Sequence, residues 1–210
     1  GDTKVVNKGG VDKIFINTSG IGLIEGDLNI SAENLQIGDK VIVSGFIGDH
    51  GIAIMAEREG LVFNNQVRSD TAPLNKLVGN ILRTGAKIQA MRDPTRGGLA
   101  STLNEFAKMS NLGIVIEEGK LPIREEVTEA CEILGLDPLH VANEGKMVAV
   151  VDKNGADAVL QAMRAHPLGT MASIIGEVTD SHRGKVIMKT RIGTTRVVDM
   201  LSGEQLPRIC

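Results

Sequence analysis

Short apolar runs alternate with helical stripes along most of the chain, and this alternation limits the fold more than any other feature. The runs in "KIQAM", "GIVIEE" and "KMVAVVD" have the length and composition of strands. The segments "GGLASTLNEFAKMSNLG" and "REEVTEACEILG" instead carry apolar residues at helical spacing, and each ends at a glycine. Such a mixture of strands and helices predicts one α+β or α/β domain.

The same rules predict the remaining elements. A helix is predicted in "SDTAPLNKLVGNILRTG", where Asp70 or Thr71 is the start signal and Gly85 is the stop. Its apolar stripe consists of Leu74, Leu77, Val78, Ile81 and Leu82. Another helix is predicted from Asn154 and must stop before Pro167. Strands are predicted in "DKVIVSGFIG", "ASIIGEVTD" and "KVIMKT".

The stretch before residue 44 reads as strand and turn, without helices of its own to cover it. We therefore expect three parts: residues 1–43 are the end of a preceding domain, residues 44–203 form the α+β domain, and residues 204–210 form a mobile tail. The chain begins at Gly1 in mid-pattern, without Met, so we expect it to be a fragment of a longer protein.

Composition removes two classes of function. Lys+Arg 23 against Asp+Glu 26 gives a formal net charge of −3, and the chain has no Trp or Tyr. The basic and stacking features of a nucleic-acid surface are therefore missing. The apolar runs are far too short to span a bilayer, and no signal peptide is visible. We expect no nucleic-acid partner and no membrane contact.

The stretch "MRDPTRGGLA" carries the strongest local signal for chemistry. A strand ends at Met91, a turn follows at Asp93 and Pro94, and Gly97 and Gly98 open a helix. Free backbone N–H groups at a helix start, approached closely through glycines, suit an anion such as phosphate. The Asp93 carboxylate suits Mg²⁺. The alternative is that the glycines only let the helix pack closely, and the residues alone do not separate the two.

Three other stretches carry polar side chains whose role stays open: Asp2, Thr3 and Lys4 in "GDTKVV", Asp49 and His50 in "IGDHG", and Glu144 in "ANEGK". The first group fits a metal, a phosphate, a proton transfer or a solvated turn. The second fits a functional glycine-rich loop or a hinge. The third fits a general base or a carboxylate on a surface turn.

The two cysteines differ in their surroundings. Cys131 shares a helical stripe with Val127 and Leu134, which indicates a small buried hydrophobe. Cys210 is the last residue of the chain, in "GEQLPRIC", and an exposed thiol at a fraying end is prone to oxidation. No Cys and His cluster has zinc spacing, so we expect no structural zinc. A reactive thiol on the last residue therefore needs a functional explanation.

Taken together, these stretches resemble the HypE family of hydrogenase maturation factors. The resemblance rests on "GDTKVV", "FINTSGIG", "SGFIGDHGIAIMAEREGL", "SDTAPLN", "MRDPTRGGLA", "ANEGK" and "GEQLPRIC", and it runs along essentially the whole chain. The wider group contains the ATP-dependent aminoimidazole ribonucleotide and selenophosphate synthetases. The resemblance implies a PurM-like C-terminal domain of the α+β class, preceded by the β-rich end of an N-terminal domain. The main part of that domain, with many ATP contacts and most of the dimer barrel, is absent.

The resemblance also implies a function for the terminal thiol. In the family, a partner named HypF places a carbamoyl group on the sulfur that corresponds to Cys210. ATP then drives removal of water, which turns the thiocarboxamide into a thiocyanate. The cyano group goes to iron held by HypC and HypD, for the [NiFe]-hydrogenase site. Full-length members are homodimers, and the implied location is the cytoplasm. The residues after Gly203 reach roughly 23 Å when extended, which suits a carrier that visits several sites.

On this resemblance, Glu144 in "NEGK" is the base that takes protons from the nitrogen, and Lys4 stabilises phosphate charge or relays protons. Asp93 matches the aspartate that holds Mg²⁺ in the related synthetases, with Asp2 as a second metal ligand. The residues implied to bind the nucleotide are Asp2, Thr3, Asp49, His50, Asp93, Thr95, Arg96, Gly97 and Gly98. ATP and Mg²⁺ are the implied cofactors.

Two other functions stay open. One is an ATP-dependent synthetase of the same fold that acts on a small diffusible substrate. The other is a non-catalytic docking module whose tail binds a partner. ATP hydrolysis that occurs only when Cys210 carries a carbamoyl group would separate all three functions. We expect the chain by itself to bind ATP weakly, because the domain that closes over the nucleotide in the family is missing.

Overall fold

The computed structural model describes residues 19–24, 26, 28–60 and 67–200, which build a seven-stranded sheet with helices against it. The strands are β1 (Lys40–Val43), β2 (Ile88–Arg92), β3 (Gly113–Glu117), β4 (Val148–Val151), β5 (Ser173–Thr179), β6 (Val186–Lys189) and β7 (Thr195–Val198). The α-helices are α1 (Asp49–Glu59), α2 (Asn75–Leu82), α3 (Gly98–Ser110), α4 (Glu125–Leu134) and α5 (Ala156–Arg164). Short 3₁₀ turns lie at Ala32–Asn34, Glu118–Lys120, Pro138–His140 and Pro167–Gly169. Among these residues no helix is long and apolar enough to cross a membrane.

The strands of the sheet run in the order β2-β4-β1-β5-β3-β6-β7. Neighbouring strands are antiparallel except β3 and β6, which are parallel. This mixed sheet with helices confirms the α+β class. The division of the chain into residues 1–43, 44–203 and 204–210 stays a prediction. The pairing of β1 with both β4 and β5 favours a domain boundary before Lys40.

Apolar side chains cover the sheet on both faces, because successive residues of a strand point in opposite directions. Val41 and Val43 belong to the cluster around α3, whereas Ile42 belongs to the cluster around α2 and α5. The helical residues that bury the two faces include Leu99, Leu103 and Phe106 of α3, Leu77 and Ile81 of α2, and Val159 and Met163 of α5. Helices thus lie on both faces, and the connecting loops emerge at the two ends of the strands.

The helices and strands predicted after residue 70 are present, with some starts displaced. The helix predicted from Asp70 or Thr71 begins at Asn75, and the helix predicted from Asn154 begins at Ala156. The second of these ends at Arg164, before Pro167, as predicted. Periodicity therefore identifies the buried faces correctly, while the exact starts depend on contacts made elsewhere in the fold.

Two elements are absent from the sequence prediction. α1 begins directly after Gly48, in the stretch that the sequence presents as a loop or hinge. The glycines there serve the packing of a helix: Gly48 has a φ of 87°, and a Cβ on Gly51 would lie 2.4 Å from Cγ1 of Val141. β7 is a short edge strand that pairs with β6. Both elements depend on tertiary contacts rather than on a strong local pattern.

Cys131 lies in a small apolar cluster between α1 and α4. Its neighbours there include Ile52, Val127 and Val141, and the side chain is buried. Burial, and then the charge of Asp137, raise the pKa of the Cys131 thiol to about 11. A thiol in this environment stays protonated and unreactive near neutral pH. The prediction of a small buried hydrophobe is confirmed.

A candidate catalytic site where three loops meet

Strand register brings three of the sequence motifs to one end of the sheet. The pairing of β1 with β4 joins Val43 to Val148, and the pairing of β2 with β4 joins Arg92 to Val148. The segments that follow β1 and β2 are therefore neighbours of the segment that precedes β4. These segments contain "IGDHG", "DPTRGG" and "ANEGK". We name this end of the molecule the loop cluster, consisting of residues 44–51, 69–71, 93–98 and 141–147.

Asn143 ties the segments of the loop cluster together through its side chain. Its Oδ1 accepts a hydrogen bond from the Gly48 N–H at 2.8 Å. Its Nδ2 donates to the carbonyl oxygens of Pro94 and Val141, both at 3.0 Å. The residue is fully buried. A buried polar group costs free energy unless it is bonded, and this amide is bonded at both ends. Asn143 therefore fixes the start of α1 against the loop that precedes α3.

Asp70 holds the segment around Glu144 in a similar way. Its Oδ1 accepts from the backbone N–H groups of Glu144 and Gly145, at 3.0 and 3.2 Å. The Lys146 ammonium lies 3.4 Å from its Oδ2. The prediction that Asp70 or Thr71 starts α2 is wrong, because α2 begins at Asn75. The Asp70 carboxylate serves the "NEGK" segment instead.

Asp49 lies at the first position of α1 and is buried. Arg124 donates from Nε to its Oδ2 at 3.1 Å, and the Arg124 guanidinium lies 4.1 Å from the ring centroid of Phe46. Burial raises the pKa of the Asp49 carboxyl, and the hydrogen bond from Arg124 opposes this. The position at a helix N-terminus also favours the charged form.

His50 connects α1 to the segment that precedes α2. Its Nδ1 lies 2.8 Å from the Ser69 hydroxyl, which in turn lies 2.8 Å from the Thr71 hydroxyl. His50 is buried, as is its neighbour Asp49. The stretch "IGDHG" thus contains the start of a helix, in which Asp49 and His50 are buried and bonded to the exposed residues Arg124 and Ser69.

The "DPTRGG" segment has one exposed side and one packed side. Asp93 is exposed, and its Oδ2 accepts from the Thr95 hydroxyl at 2.6 Å. Gly97 and Gly98 have φ values of 70° and 60°, in the left-handed region that favours glycine. A Cβ on Gly98 would lie only 2.5 Å from the Leu139 carbonyl oxygen. Close packing thus explains Gly98, while the oxygens of Asp93 and Thr95 stay accessible to a ligand.

The remaining predicted site residues fall into two groups. Glu144 is half-buried in the loop cluster, and Arg96 is exposed just before α3. The other four, Asp2, Thr3, Lys4 and Cys210, lie outside the described residues. Within the described part of the chain, no group of three or more His, Cys, Asp or Glu side chains is placed to hold a metal ion.

Three residues of the loop cluster and its border receive no site role from the sequence analysis: Asn143, Asp70 and Arg124. Asn143 and Asp70 lie inside quoted motifs, and that position is their only signal in the sequence. Arg124 lies outside every motif, and its contact with Asp49 depends on the packing of α4 against α1. These residues connect the motifs to one another.

The last described residues lie beside the loop cluster. The Asn104 side chain donates to the Val198 carbonyl oxygen at 2.8 Å. His140 Nε2 lies 3.0 Å from the Asp199 carbonyl oxygen. His140 belongs to the turn that runs into Asn143. Asp199 therefore lies against the turn that leads into the loop cluster, whereas the Met200 sulfur lies 3.1 Å from Lys108 Nζ in the last turn of α3.

The fold and the site define a class of protein. A mixed sheet with helices on both faces, and with glycine-opened helix starts gathered at one end, is the PurM-like α+β domain. Residues 36–189 match the family of AIR synthase related proteins, in their C-terminal domain. This chain belongs to that family.

The chain is also similar to longer proteins, which confirms the resemblance to the HypE family. It is 54% identical over its whole length to the carbamoyl dehydratase HypE of Bradyrhizobium diazoefficiens, of which it covers 61%. A crystal structure of a HypE–HypF complex matches with a TM-score of 0.81 at 48% identity, over 85% of this chain and 58% of that chain. A crystal structure of hydrogenase maturation protein HypE in complex with ATP matches with a TM-score of 0.82 at 42% identity, over 86% of this chain and 55% of that chain. The chain spans about three fifths of the length of the curated relatives it matches.

Proposed function

We propose that the protein containing this chain is an ATP-dependent carbamoyl dehydratase of hydrogenase maturation. The observation that carries the proposal is the bonding within the loop cluster. Asp70 holds Glu144 and Gly145 of "NEGK", and Asn143 bonds to the loops of "IGDHG" and "DPTRGG". A candidate base therefore lies in the same cluster as a candidate phosphate-binding loop. The similarity to the carbamoyl dehydratase HypE of Bradyrhizobium diazoefficiens supports the same conclusion.

Dehydration of a carbamoyl group on sulfur makes two chemical demands. The oxygen must become a leaving group, and the nitrogen must lose its two protons. Transfer of the terminal phosphoryl group of ATP to the oxygen meets the first demand, since phosphate then departs as the C≡N bond forms. A carboxylate at the nitrogen meets the second. Glu144 is the proposed base, and Lys4 is proposed to stabilise phosphate charge or relay protons.

The nucleotide is proposed to bind at the exposed side of the loop cluster. Two helices, α1 and α3, begin there, and the N-terminus of a helix favours an anion through its free N–H groups and dipole. The residues proposed to contact the nucleotide are Asp2, Thr3, Asp49, His50, Asp93, Thr95, Arg96, Gly97 and Gly98, of which Asp49, His50 and Gly98 are buried beneath the exposed side. The HypE structure in complex with ATP supports ATP as this nucleotide.

Mg²⁺ is proposed to accompany ATP. The Asp93 carboxylate and the Thr95 hydroxyl form an exposed pair of oxygen ligands, which fits a hard cation. Asp93, together with Asp2, would hold the ion, which neutralises phosphate charge when bound. Asp49 fits the ion less well, because Arg124 already donates to its Oδ2.

Cys210 is the proposed carrier of the carbamoyl group. The ten residues after Met200 can span at most roughly 33–36 Å, somewhat more than the diameter of a small domain. This span begins next to Asp199, which His140 binds beside the loop cluster. HypF is the proposed carbamoyl donor, in agreement with the structure of a HypE–HypF complex. The HypC–HypD complex is the proposed acceptor of the cyano group, and the full-length protein is proposed to be a homodimer.

ATP hydrolysis tests the proposal in a protein of the relatives' full length. We expect release of ADP to require a carbamoyl group on Cys210, and we expect the tail peptide to lose the mass of one water. Cys210→Ala is the matched control, which should fold normally but show neither loading nor coupled hydrolysis. Hydrolysis that a small diffusible substrate stimulates in Cys210→Ala would favour a synthetase. A protein that loads no carbamoyl group and hydrolyses no ATP would favour a docking module.

A further inference from the structure

Asp70 is a nearly buried carboxylate whose side chain contacts three consecutive residues of one segment. The side chain is only 2% exposed. Its Oδ1 accepts from the N–H groups of Glu144 and Gly145, and its Oδ2 faces the Lys146 ammonium. Charge-assisted hydrogen bonds of this kind are stronger than neutral ones. A carboxylate that accepts from two successive N–H groups also restricts the orientation of the peptide between them.

Backbone packing reinforces this contact. A Cβ on Gly145 would lie 1.7 Å from the Asp70 carbonyl oxygen and 2.8 Å from the Ala72 nitrogen. The "NEGK" segment therefore lies directly on the backbone around Asp70, with no room for a side chain between them. Hydrogen bonds on one side and backbone contact on the other leave residues 144 and 145 little freedom to move.

We propose that Asp70 is a positioning residue for Glu144: by holding the two N–H groups and the Lys146 ammonium, it sets where the Glu144 carboxylate leaves the backbone. This inference rests on the proposed function, in which Glu144 is the base. Misplacement of a catalytic group by about 1 Å can lower a rate by about 10²-fold. Asp70 thus controls the dehydration step and not the loading of the terminal thiol.

Two other roles for Asp70 fit the structure less well. A helix cap is excluded because α2 begins at Asn75 after Leu74, five residues after Asp70. A cation site is disfavoured because the Lys146 ammonium already lies 3.4 Å from Oδ2. The contacts that Asp70 makes are those that orient the Glu144 segment.

Graded substitutions test the inference in the full-length protein. Asp70→Asn keeps an oxygen acceptor for the two N–H groups but removes the charge that Lys146 faces, whereas Asp70→Ala removes both. We expect single-turnover dehydration at saturating ATP to slow by about tenfold in Asp70→Asn and about 10²-fold in Asp70→Ala. The rate of carbamoyl loading should stay unchanged in both. Asp152→Asn is the matched control, because Asp152 also accepts a backbone N–H in a turn but lies at the other end of β4.

The outcomes separate positioning from a purely structural role. Positioning is supported if Asp70→Asn dehydrates faster than Asp70→Ala but more slowly than wild type, while carbamoyl loading stays unchanged in both. Wild-type dehydration in both Asp70 variants overturns the inference, and so does an equal fall of loading and dehydration. If Asp70→Ala fails to fold, Asp70→Asn alone decides between these outcomes.

Glu144→Gln in the same assay separates this inference from the proposed function. If Glu144→Gln dehydrates at the wild-type rate, Glu144 is not the base and the proposed mechanism fails. If Glu144→Gln dehydrates slowly while Asp70→Asn dehydrates at the wild-type rate, only the positioning role of Asp70 is overturned. If Asp70 acts only through the Glu144 carboxylate, the double variant Asp70→Asn with Glu144→Gln should dehydrate no more slowly than Glu144→Gln alone.

Discussion

The loops at the two ends of the sheet differ in how far along the chain their buried or half-buried polar side chains find hydrogen-bond partners. In the loop cluster, Asn143 bonds to Gly48 and Pro94, which are 95 and 49 positions away. Asp70 bonds to Glu144, which is 74 positions away. These bonds hold separate loops at fixed distances from one another.

The opposite end, which we name the far end, consists of residues 36–39 and 152–154. There Asp39 accepts from the Gln36 N–H, three positions away. Asp152 accepts from the N–H of Asn154, two positions away. Each of these two bonds stabilises a single turn, while the neighbouring strand residue Lys40 forms a partly exposed ion pair with Glu177, 137 positions away. The comparison shows that the buried side chains of Asn143 and Asp70 join separate loops, whereas Asp39 and Asp152 each bond within their own turn.

The largest effect is expected on the rate of dehydration, which a substitution in the loop cluster should lower and one at the far end should not. Glu144→Gln keeps the size and most hydrogen-bonding capacity of the side chain but removes the proposed base. Because a positioned base contributes about 10²–10⁴-fold, dehydration on Cys210 should slow by that factor in the full-length protein, with loading intact. Mass spectrometry of the tail peptide distinguishes the two species by one water.

Asp152→Asn at the far end is the control for this change and should dehydrate at the wild-type rate. Equal rates in Glu144→Gln and wild type would return Glu144 to the role of a surface turn carboxylate. Failure of Glu144→Gln to load would indicate that the residue shapes tail docking or the fold.

A smaller effect is expected on the free energy of unfolding, which substitutions at the two ends should lower by different amounts. Asn143→Ala removes three hydrogen bonds and leaves the buried Gly48 N–H without its acceptor, so we expect a loss of about 2–4 kcal/mol in the free energy of unfolding. Asp152→Ala should lose about 1 kcal/mol or less, since its bond is exposed and local. Guanidinium denaturation of both variants measures the difference. Similar losses in the two would show that the range of the bonds along the chain does not matter.

The smallest effect concerns Asp39 at the far end. Burial raises the pKa of its carboxyl above the ordinary 3.8, against the opposing bond from the Gln36 N–H; the charge of Asp152 raises it further, and that of Lys87 opposes. With a raised pKa the folded protein binds the proton more tightly than the unfolded chain does. Stability therefore falls as pH rises from 3.8 through the folded pKa, and the penalty persists above it.

Asp39→Asn removes the buried charge and keeps an oxygen acceptor for the Gln36 N–H. We expect a gain of about 2 °C in Tm at pH 7, and we expect the gain to shrink as the pH falls towards 3.8. Thermal melts of variant and wild type at a series of pH values measure this. A gain that is the same at every pH would show that the Asp39 charge is not its cause.

Local patterns predict the elements of the fold, because helices and strands arise from side chains that are close in sequence. The stripe of α2, with Leu77 and Ile81 fully buried, is visible as spacing alone. α1 escapes prediction since its glycines, at positions 48 and 51, are explained only by the packing of Val127 and Val141 against them. A sequence carries no local sign of a neighbour from another element.

The candidate site is predictable in its motifs but not in its connections. "NEGK" and "DPTRGG" stand out as glycine-rich turns beside strands, and the resemblance implies that they act together. Asp70 is misread as a helix start because aspartate is common at that position. Its real partners lie 74 and 75 positions away, beyond the range of any periodicity.

The backbone contacts of Gly98 and Gly145 bear on how this domain can change over generations or in a directed library. Any other amino acid at either position brings a Cβ within 2.5 Å or less of a backbone oxygen, so none of the alternatives is a neutral step. Gly119, in contrast, faces open space, so a side chain at this position would meet no steric clash. A library of variants should therefore hold Gly98 and Gly145 constant and place its changes at open positions such as Gly119. Sequence change that preserves the fold is therefore expected to leave Gly98 and Gly145 unaltered.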